Sequence, residues 1–479
     1  MRSWTKPANG CASTVQRSFA KFARLQATLE RLILSGSLPG KLRSAAISEA
    51  ATIKQVKPSR YGHALLALRS RNYKLFFFGQ SVSLIGTWMT RIAASWLVYR
   101  LTGSAAMLGF VGFAGQIPTF VLAPFAGVLI DRMDRRTVLV WTQALAAVQS
   151  LAMAALTLSH RITIEQILWL SVFQGVINAF DMPGRQSALV LMVDEKSQLQ
   201  SAIALNSSMV NAARLVGPAL AGMVIAGVGE GWCFAIDGFS YLAVIVSLLM
   251  MRLRVGKPPK TATTMAEQLK DGWSYVTGFR PVRTILLLFA LVSLMGIPYV
   301  VLMPMFAKNV LGGGAHTLGF LSAAAGVGAL VGAVALALRK SVRGLLRWIQ
   351  MSAAAFGLGL ILLGLSHWLW ASLLVMTIVG FGMMLGIAAS NTVIQTLVTE
   401  EKRARVMSYY TMAFMGMAPF GSLMAGFLAD HFGPQNTVIF TGTCCILGAA
   451  WFSTQLKQVR HAMRPIYAEM GIIPSEPQV

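Results

Sequence analysis

The chain has 479 residues, of which 12% are charged and 55% hydrophobic, with a mean hydropathy of +0.62. Soluble domains carry roughly 25% charged residues, so this composition excludes an ordinary water-soluble globule and points into a bilayer. The net charge of +24 does not indicate a nucleic-acid surface, because the lysines and arginines fall in gaps between apolar runs, where they orient membrane helices.

Residues 1–72 differ from the rest. Val15, Phe19, Phe22, Leu29 and Ile33 share one helical face, and Arg17, Lys21, Arg24 and Arg31 share the opposite one. This is the pattern of a basic amphipathic helix lying on an anionic leaflet. An acid-poor, Arg- and Ser-rich start also resembles a targeting presequence. A cytoplasmic tail is the preferred reading.

Twelve apolar segments follow, each near the roughly 20 residues that span a hydrocarbon core. They are expected at 74–99, 105–130, 137–158, 164–184, 201–228, 232–252, 284–307, 316–338, 344–366, 368–394, 406–430 and 435–456. A first half, 73–252, is thus separated from a second, 284–456, by a polar stretch at 253–283, and 457–479 forms a tail. Met265, Leu269, Trp273 and Val276 make a surface-helix stripe in the linker. With the N-terminus inside, 36 of the 41 basic residues fall on the cytoplasmic side or at its edge. Only Arg100, Arg161 and Lys308 fall outside, and Arg91 and Arg214 lie within segments. The positive-inside rule then places both termini in the cytoplasm. The halves echo each other: GPALAG at Gly217–Gly222 recurs as GSLMAG at Gly421–Gly426, an offset of 204 residues (421 − 217).

Three segments carry polar stripes that would be costly against lipid and suit a wet cavity or mutual packing. The first has Gln80, Ser83, Thr87, Thr90, Arg91 and Ser95. The fourth has Gln174, Asn178, Asp181 and Arg185. The fifth has Asn206, Ser207, Asn211 and Arg214. A charge at a helix centre costs roughly 2.5–3.5 kcal/mol on insertion scales, so Arg91 and Arg214 each need water, a partner or a ligand. They either pair with Asp181 or Asp237 or, with Thr87, Trp88, Asn178 and Asn211, bind a substrate. A guanidinium fork suits carboxylates and other oxyanions. Asp237 is the remaining deep acid of the first half and the candidate proton carrier, unless it is a helix-end residue wetted from outside. All six histidines fall in loops or tails, which argues against a histidine relay. The four cysteines show no metal or disulfide spacing, no phosphate-binding loop is present, and no catalytic constellation appears, so neither a cofactor nor enzyme activity is expected.

Between the second and third segments stands Gly127–Arg136, GVLIDRMDRR, a hairpin too short for a domain and too charged for bilayer core. Its G-x-x-x-D-R-x-x-R-R spacing resembles the corresponding loop of the major facilitator superfamily of secondary transporters, with Asp134 where that family usually has glycine. The stretches FDMPGRQSALV and LNSSMVNAARLVGPALAG are similar to the enterobactin-exporter-like branch, over roughly residues 69–456. The resemblance implies an all-α fold of twelve transmembrane helices in two pseudo-symmetric six-helix halves, with a midplane site between them. It also implies a gate of Gly127, Asp131, Arg132, Arg135, Arg136, Asp181 and Arg185, in which Gly127 lets helices approach and Asp131 meets the eleventh segment near Arg405–Ser408. Gly217, Pro218 and Gly222 resemble the exporter motif, a helix-packing seam. The function implied is export of a small organic molecule, siderophore-like, anionic or drug-like, by a monomeric antiporter in the bacterial inner membrane, with the proton as coupling ion. A proton-linked importer and a non-transporting sensor or partner subunit remain open.

Overall fold

The computed structural model describes residues 65–251, 265–339 and 341–470, and among them there are helices and no strand. Six long helices come first: α1 (Arg71–Thr102), α2 (Ala105–Arg132), α3 (Arg135–Leu158), α4 (Ile164–Leu189), α5 (Lys196–Val228) and α6 (Glu230–Met250). The linker helix α7 (Met265–Gly278) leads to α8 (Arg280–Leu291), α9 (Tyr299–Met305) and α10 (Ala315–Ala337). Then follow α11 (Leu345–Leu365), α12 (Leu369–Leu397), α13 (Glu400–Met415), α14 (Met417–Phe432) and α15 (Pro434–Glu469). The amphipathic pattern expected before residue 35 lies outside the described residues.

Every predicted apolar segment has a helical counterpart, and among the described residues ten stretches are long and apolar enough to cross a membrane. α1 and α4 are not among the ten. Their length suffices, at 32 and 26 residues, but both carry polar stripes that dilute their apolar content. Two segments expected to be continuous are broken. The seventh runs as α8, a π-helical turn at Val292–Gly296, α9 and a second π turn at Phe306–Val310. Pro298 and Pro304 each lack the amide that would continue the hydrogen-bond ladder, and the helix widens beside them. The eleventh segment starts at Glu400, earlier than expected, and breaks at Gly416 between α13 and α14. There Pro419 cannot donate to the carbonyl of Met415.

Short polar residues set several helix starts. Ser104 caps α2 by accepting from the Met107 amide at 3.2 Å, after Gly103 turns the chain through a left-handed φ of 63°. Thr163 and Gln166 form a capping box on α4. Before α1, the Ser70 hydroxyl donates to the Met192 carbonyl and the Tyr73 hydroxyl to that of Ala202, so the entry to the first helix is pinned against the start of α5.

In the first half α1 packs on α5 and α6, α3 on α6, and α2 on α4; in the second, α10 packs on α12, and α11 on α12 and α15. The halves meet along α5–α10 and α2–α14. Apolar side chains gain little by leaving lipid for protein, so such contacts depend on close backbone approach at small residues. A Cβ on Gly222 would come within 3.0 Å of the Ala315 oxygen and 3.1 Å of the Gly319 Cα. A Cβ on Gly426 would meet the Ala105 oxygen at 2.6 Å and the Gly109 Cα at 2.9 Å. The two sequence repeats therefore make equivalent crossings between the halves. Hydrogen bonds join the halves at the end opposite the GVLIDRMDRR hairpin. The Tyr99 hydroxyl donates to Asn309 at 2.9 Å, and Asp430 accepts from the Ser104 hydroxyl at 2.7 Å and the Ala105 amide at 2.6 Å.

Candidate functional site

The two intramembrane arginines converge on one indole. The Arg91 guanidinium carbon lies 4.8 Å from the Trp88 ring centroid, and that of Arg214 lies 5.1 Å from it. The local cause is glycine: a Cβ on Gly217 would come within 2.5 Å of the Trp88 Cβ and 3.0 Å of the Ile85 oxygen, so α5 reaches α1 only because Gly217 has none. Arg214, one turn earlier on α5, is thereby carried over the ring. Among the described residues neither arginine is in an ion pair, and the buried Arg214 Nε has no hydrogen-bond partner. Asp181 pairs with Arg185 instead, while Asp237 makes no short ion pair but lies near enough to Arg91 to attract it at longer range. A cation over an indole face gains about 0.5–2 kcal/mol, which leaves most of the donor capacity of two guanidinium groups unused.

Asp181 is committed elsewhere. It is buried, pairs with Arg185 one turn on, and accepts from Gln143 at 2.7 Å and Thr142 at 3.1 Å, both on α3. These partners hold it inside the first half. Asp237 is likewise neither isolated nor at a wetted helix end. It is buried, its Oδ2 accepts from Ser150 at 3.1 Å, and its Oδ1 faces the Thr87 hydroxyl at 3.4 Å. The Tyr241 hydroxyl is 3.4 Å from the same Thr87. A Cβ on Gly86 would meet the Asp237 Oδ1 at 2.8 Å, so a glycine of α1 admits the carboxylate. Asn178 accepts from Gln174 at 3.2 Å, and Asn211 donates back to the Ser207 carbonyl at 2.9 Å, so both are occupied within their own helices.

At the hairpin, the side chains of Asp131 and Arg132 lie outside the described residues. A Cβ on Gly127 meets no described atom within 4 Å, so the described residues make no close helix approach there. Arg136 donates to the carbonyls of Leu248 at 2.8 Å and Leu249 at 2.6 Å. It thereby neutralises the C-terminus of α6, a favourable place for a cation, instead of reaching the second half. Asp134 is the N-cap of α3, accepting from the Thr137 amide at 3.0 Å and hydroxyl at 2.6 Å. Those bonds, the hydroxyl foremost, hold its carboxyl below the usual range. Its φ of −67° needs no glycine, which explains why an acid is tolerated at this position. Arg405, expected near Asp131, pairs with Asp271 of the linker helix at 2.9 Å.

Sequence reasoning missed the sharing of Trp88 by both arginines, the hydroxyl cage around Asp237, and Asp430 as a tie between halves. The spacing of Arg214 and Gly217 on one face of α5 was a usable signal for the first. The other two depend on pairings between distant helices, for which the sequence carries no marker.

The family described as transmembrane secretion effector matches residues 63–468. The staphyloferrin A transporter of Staphylococcus aureus is 26% identical, over 79% of this chain and 95% of that protein. The multidrug efflux pump Tap of Mycolicibacterium fortuitum is 25% identical, over 82% and 98% respectively. The macrolide efflux protein A of Streptococcus pyogenes is 22% identical, over 78% and 94%. Among solved structures, a bacterial homologue of the human lysosomal transporter Spinster, inward-facing and occupied, aligns with a TM-score of 0.64 at 14% identity, over 83% of this chain and 98% of that one. The nucleoside transporter NupG aligns at 0.60 and 15% identity, over 81% and 99%.

Proposed function

Since the chain belongs to the transmembrane secretion effector family of major facilitator transporters, we propose that it exports a small organic anion by alternating access, with an inward proton gradient as the driving force. The observation that carries this reading is the Arg91–Trp88–Arg214 arrangement, two cations on one indole with no carboxylate in a salt bridge to either among the described residues. Guanidinium groups bind carboxylates and phenolates through parallel N–H donors, and the indole offers a face for a flat acid. Siderophore and drug transport by relatives is consistent with a ligand of this size and chemistry. Asp237 is the proposed proton carrier, because its partners are hydroxyls, which can serve either protonation state. The hairpin end is assigned to the cytoplasm by its basic residues.

Purified protein in liposomes, loaded with hydroxy- and catechol-carboxylates and given a proton gradient, tests the reading. Gradient-dependent movement of an acid, weakened at least tenfold in Arg91→Gln and Arg214→Gln and only partly restored by lysine, is the expected result. Full transport of acids by both glutamine variants would reject the anion site. Undiminished coupling in Asp237→Asn would reject that carrier.

A further inference from the structure

The second half holds a cavity whose position mirrors the arginine–tryptophan site. Gly217 seats α5 on Trp88 in the first half, and its repeat partner Gly421 lies against Leu294 and Pro298 of the broken seventh segment. Pro298 thus stands where Trp88 stands and Leu294 where Ile85 does, and the nearby Val292 and Ile297 line a cavity with free space of about 390 Å³ including its open mouth. Its walls include Phe289, Phe356, Met383, Gly386, Ile387 and Phe414. One wall is rigid. Phe289 is stacked between Tyr410 at 4.7 Å and Phe414 at 4.9 Å, with interplanar angles of 13° and 16°. The Ser293 hydroxyl donates to the Phe414 carbonyl and ties the π turn to that wall. π turns recur at ligand sites because the extra residue opens the ladder and re-aims side chains.

The two sites are bridged. Tyr299, buried on α9, packs edge-on against Phe356 of the cavity at 6.1 Å, and α9 also packs on α1, the helix that carries Arg91 and Trp88. Two guanidinium groups that make no ion pair among the described residues are thus separated by α9 from an apolar aromatic cavity in the other half. A slender apolar cavity favours occupants that bring no polar group to desolvate.

Resting on the anion reading above, we propose that the ligand is amphiphilic and straddles the halves, its acid at Arg91 and Arg214 and an apolar alkyl or aryl tail in the cavity bounded by Phe289, Phe356 and Phe414. Each half then recognises one end of the molecule. A ligand lacking either end engages one half only.

Equilibrium binding to the full chain in nanodiscs, with empty nanodiscs subtracted, tests this with benzoate, 4-butylbenzoate and the neutral 4-butylbenzamide. In the wild type 4-butylbenzoate should bind about tenfold tighter than benzoate, the increment expected from burying part of a butyl chain. Ile387→Phe should abolish that advantage while leaving benzoate binding in place. Gly386→Ala, whose Cβ would meet the Ser352 Oγ at 3.0 Å, is the milder variant and should reduce it. Arg91→Gln and Arg214→Gln should weaken both acids and leave the amide unmoved. An undiminished butyl advantage in the cavity variants overturns the tail subsite alone. Acids unaffected by the arginine changes, or bound no better than the amide, overturn the anion reading itself, and a wild type that binds neither acid overturns both.

Discussion

Gly217 of α5 rests directly on Trp88 of α1, with room for no Cβ between the two helices. This contact sets where Arg214 sits. Gly217→Val should push the helices apart, at a cost of about 1–3 kcal/mol for overpacking. It should also withdraw Arg214 from the indole. Anion binding should fall at least as far as in Arg214→Gln while the protein still purifies as a single species, measured by calorimetry and size-exclusion chromatography.

Trp88→Leu removes the one face that both cations share. Two attractions of about 0.5–2 kcal/mol each are lost and the like charges face each other without a screen. The melting temperature should drop, and an added organic anion should raise it less in the variant than in the wild type, because the indole is part of the anion's seat. Equal anion-dependent shifts would show that the indole does not organise the pair.

Asp430 ties the halves together at the end away from the hairpin by holding Ser104 and the Ala105 amide. Asp430→Ala should release that end. Cysteines placed at residues 102 and 313 should then label faster with a membrane-impermeant reagent added from outside. The same variant should gain no reactivity at the hairpin end.

Asp134→Ala should cost about 1 kcal/mol, the usual value of an N-cap. The pH dependence has a definite sign. A carboxyl held below its ordinary range contributes stability above its unfolded pKa and loses it as the pH falls through the lowered value. The stability gap between wild type and variant should therefore be constant near neutrality and close on acidification below the carboxylate range.

The helices were legible from apolar run length, because a bilayer imposes one scale on every segment. Breaks were less so. Pro298 and Pro304 were visible, but whether a proline kinks a helix or opens a π turn depends on neighbours such as Phe356 against Gly296. Arg91 and Arg214 stood out because charge is rare at such depth. Their meeting place did not, since it is fixed by a glycine contact between the first and fifth helices. Asp181 shows another limit: the family resemblance implied a gate residue, and nothing in its spacing on α4 foretold the bonds from Thr142 and Gln143 on a different helix.

The crossings of Gly222 on Gly319 and Gly426 on Gly109 bring main-chain atoms of the two halves together. Such contacts resist separation yet offer little resistance to swivelling. In the proposed cycle they would serve as a pair of bearings, one on each seam, set at equivalent points by the repeat. A bulky residue at either would seize its bearing. It would slow the cycle without altering what the protein can hold, so defects in turnover and defects in recognition should map to different glycines of the same helix.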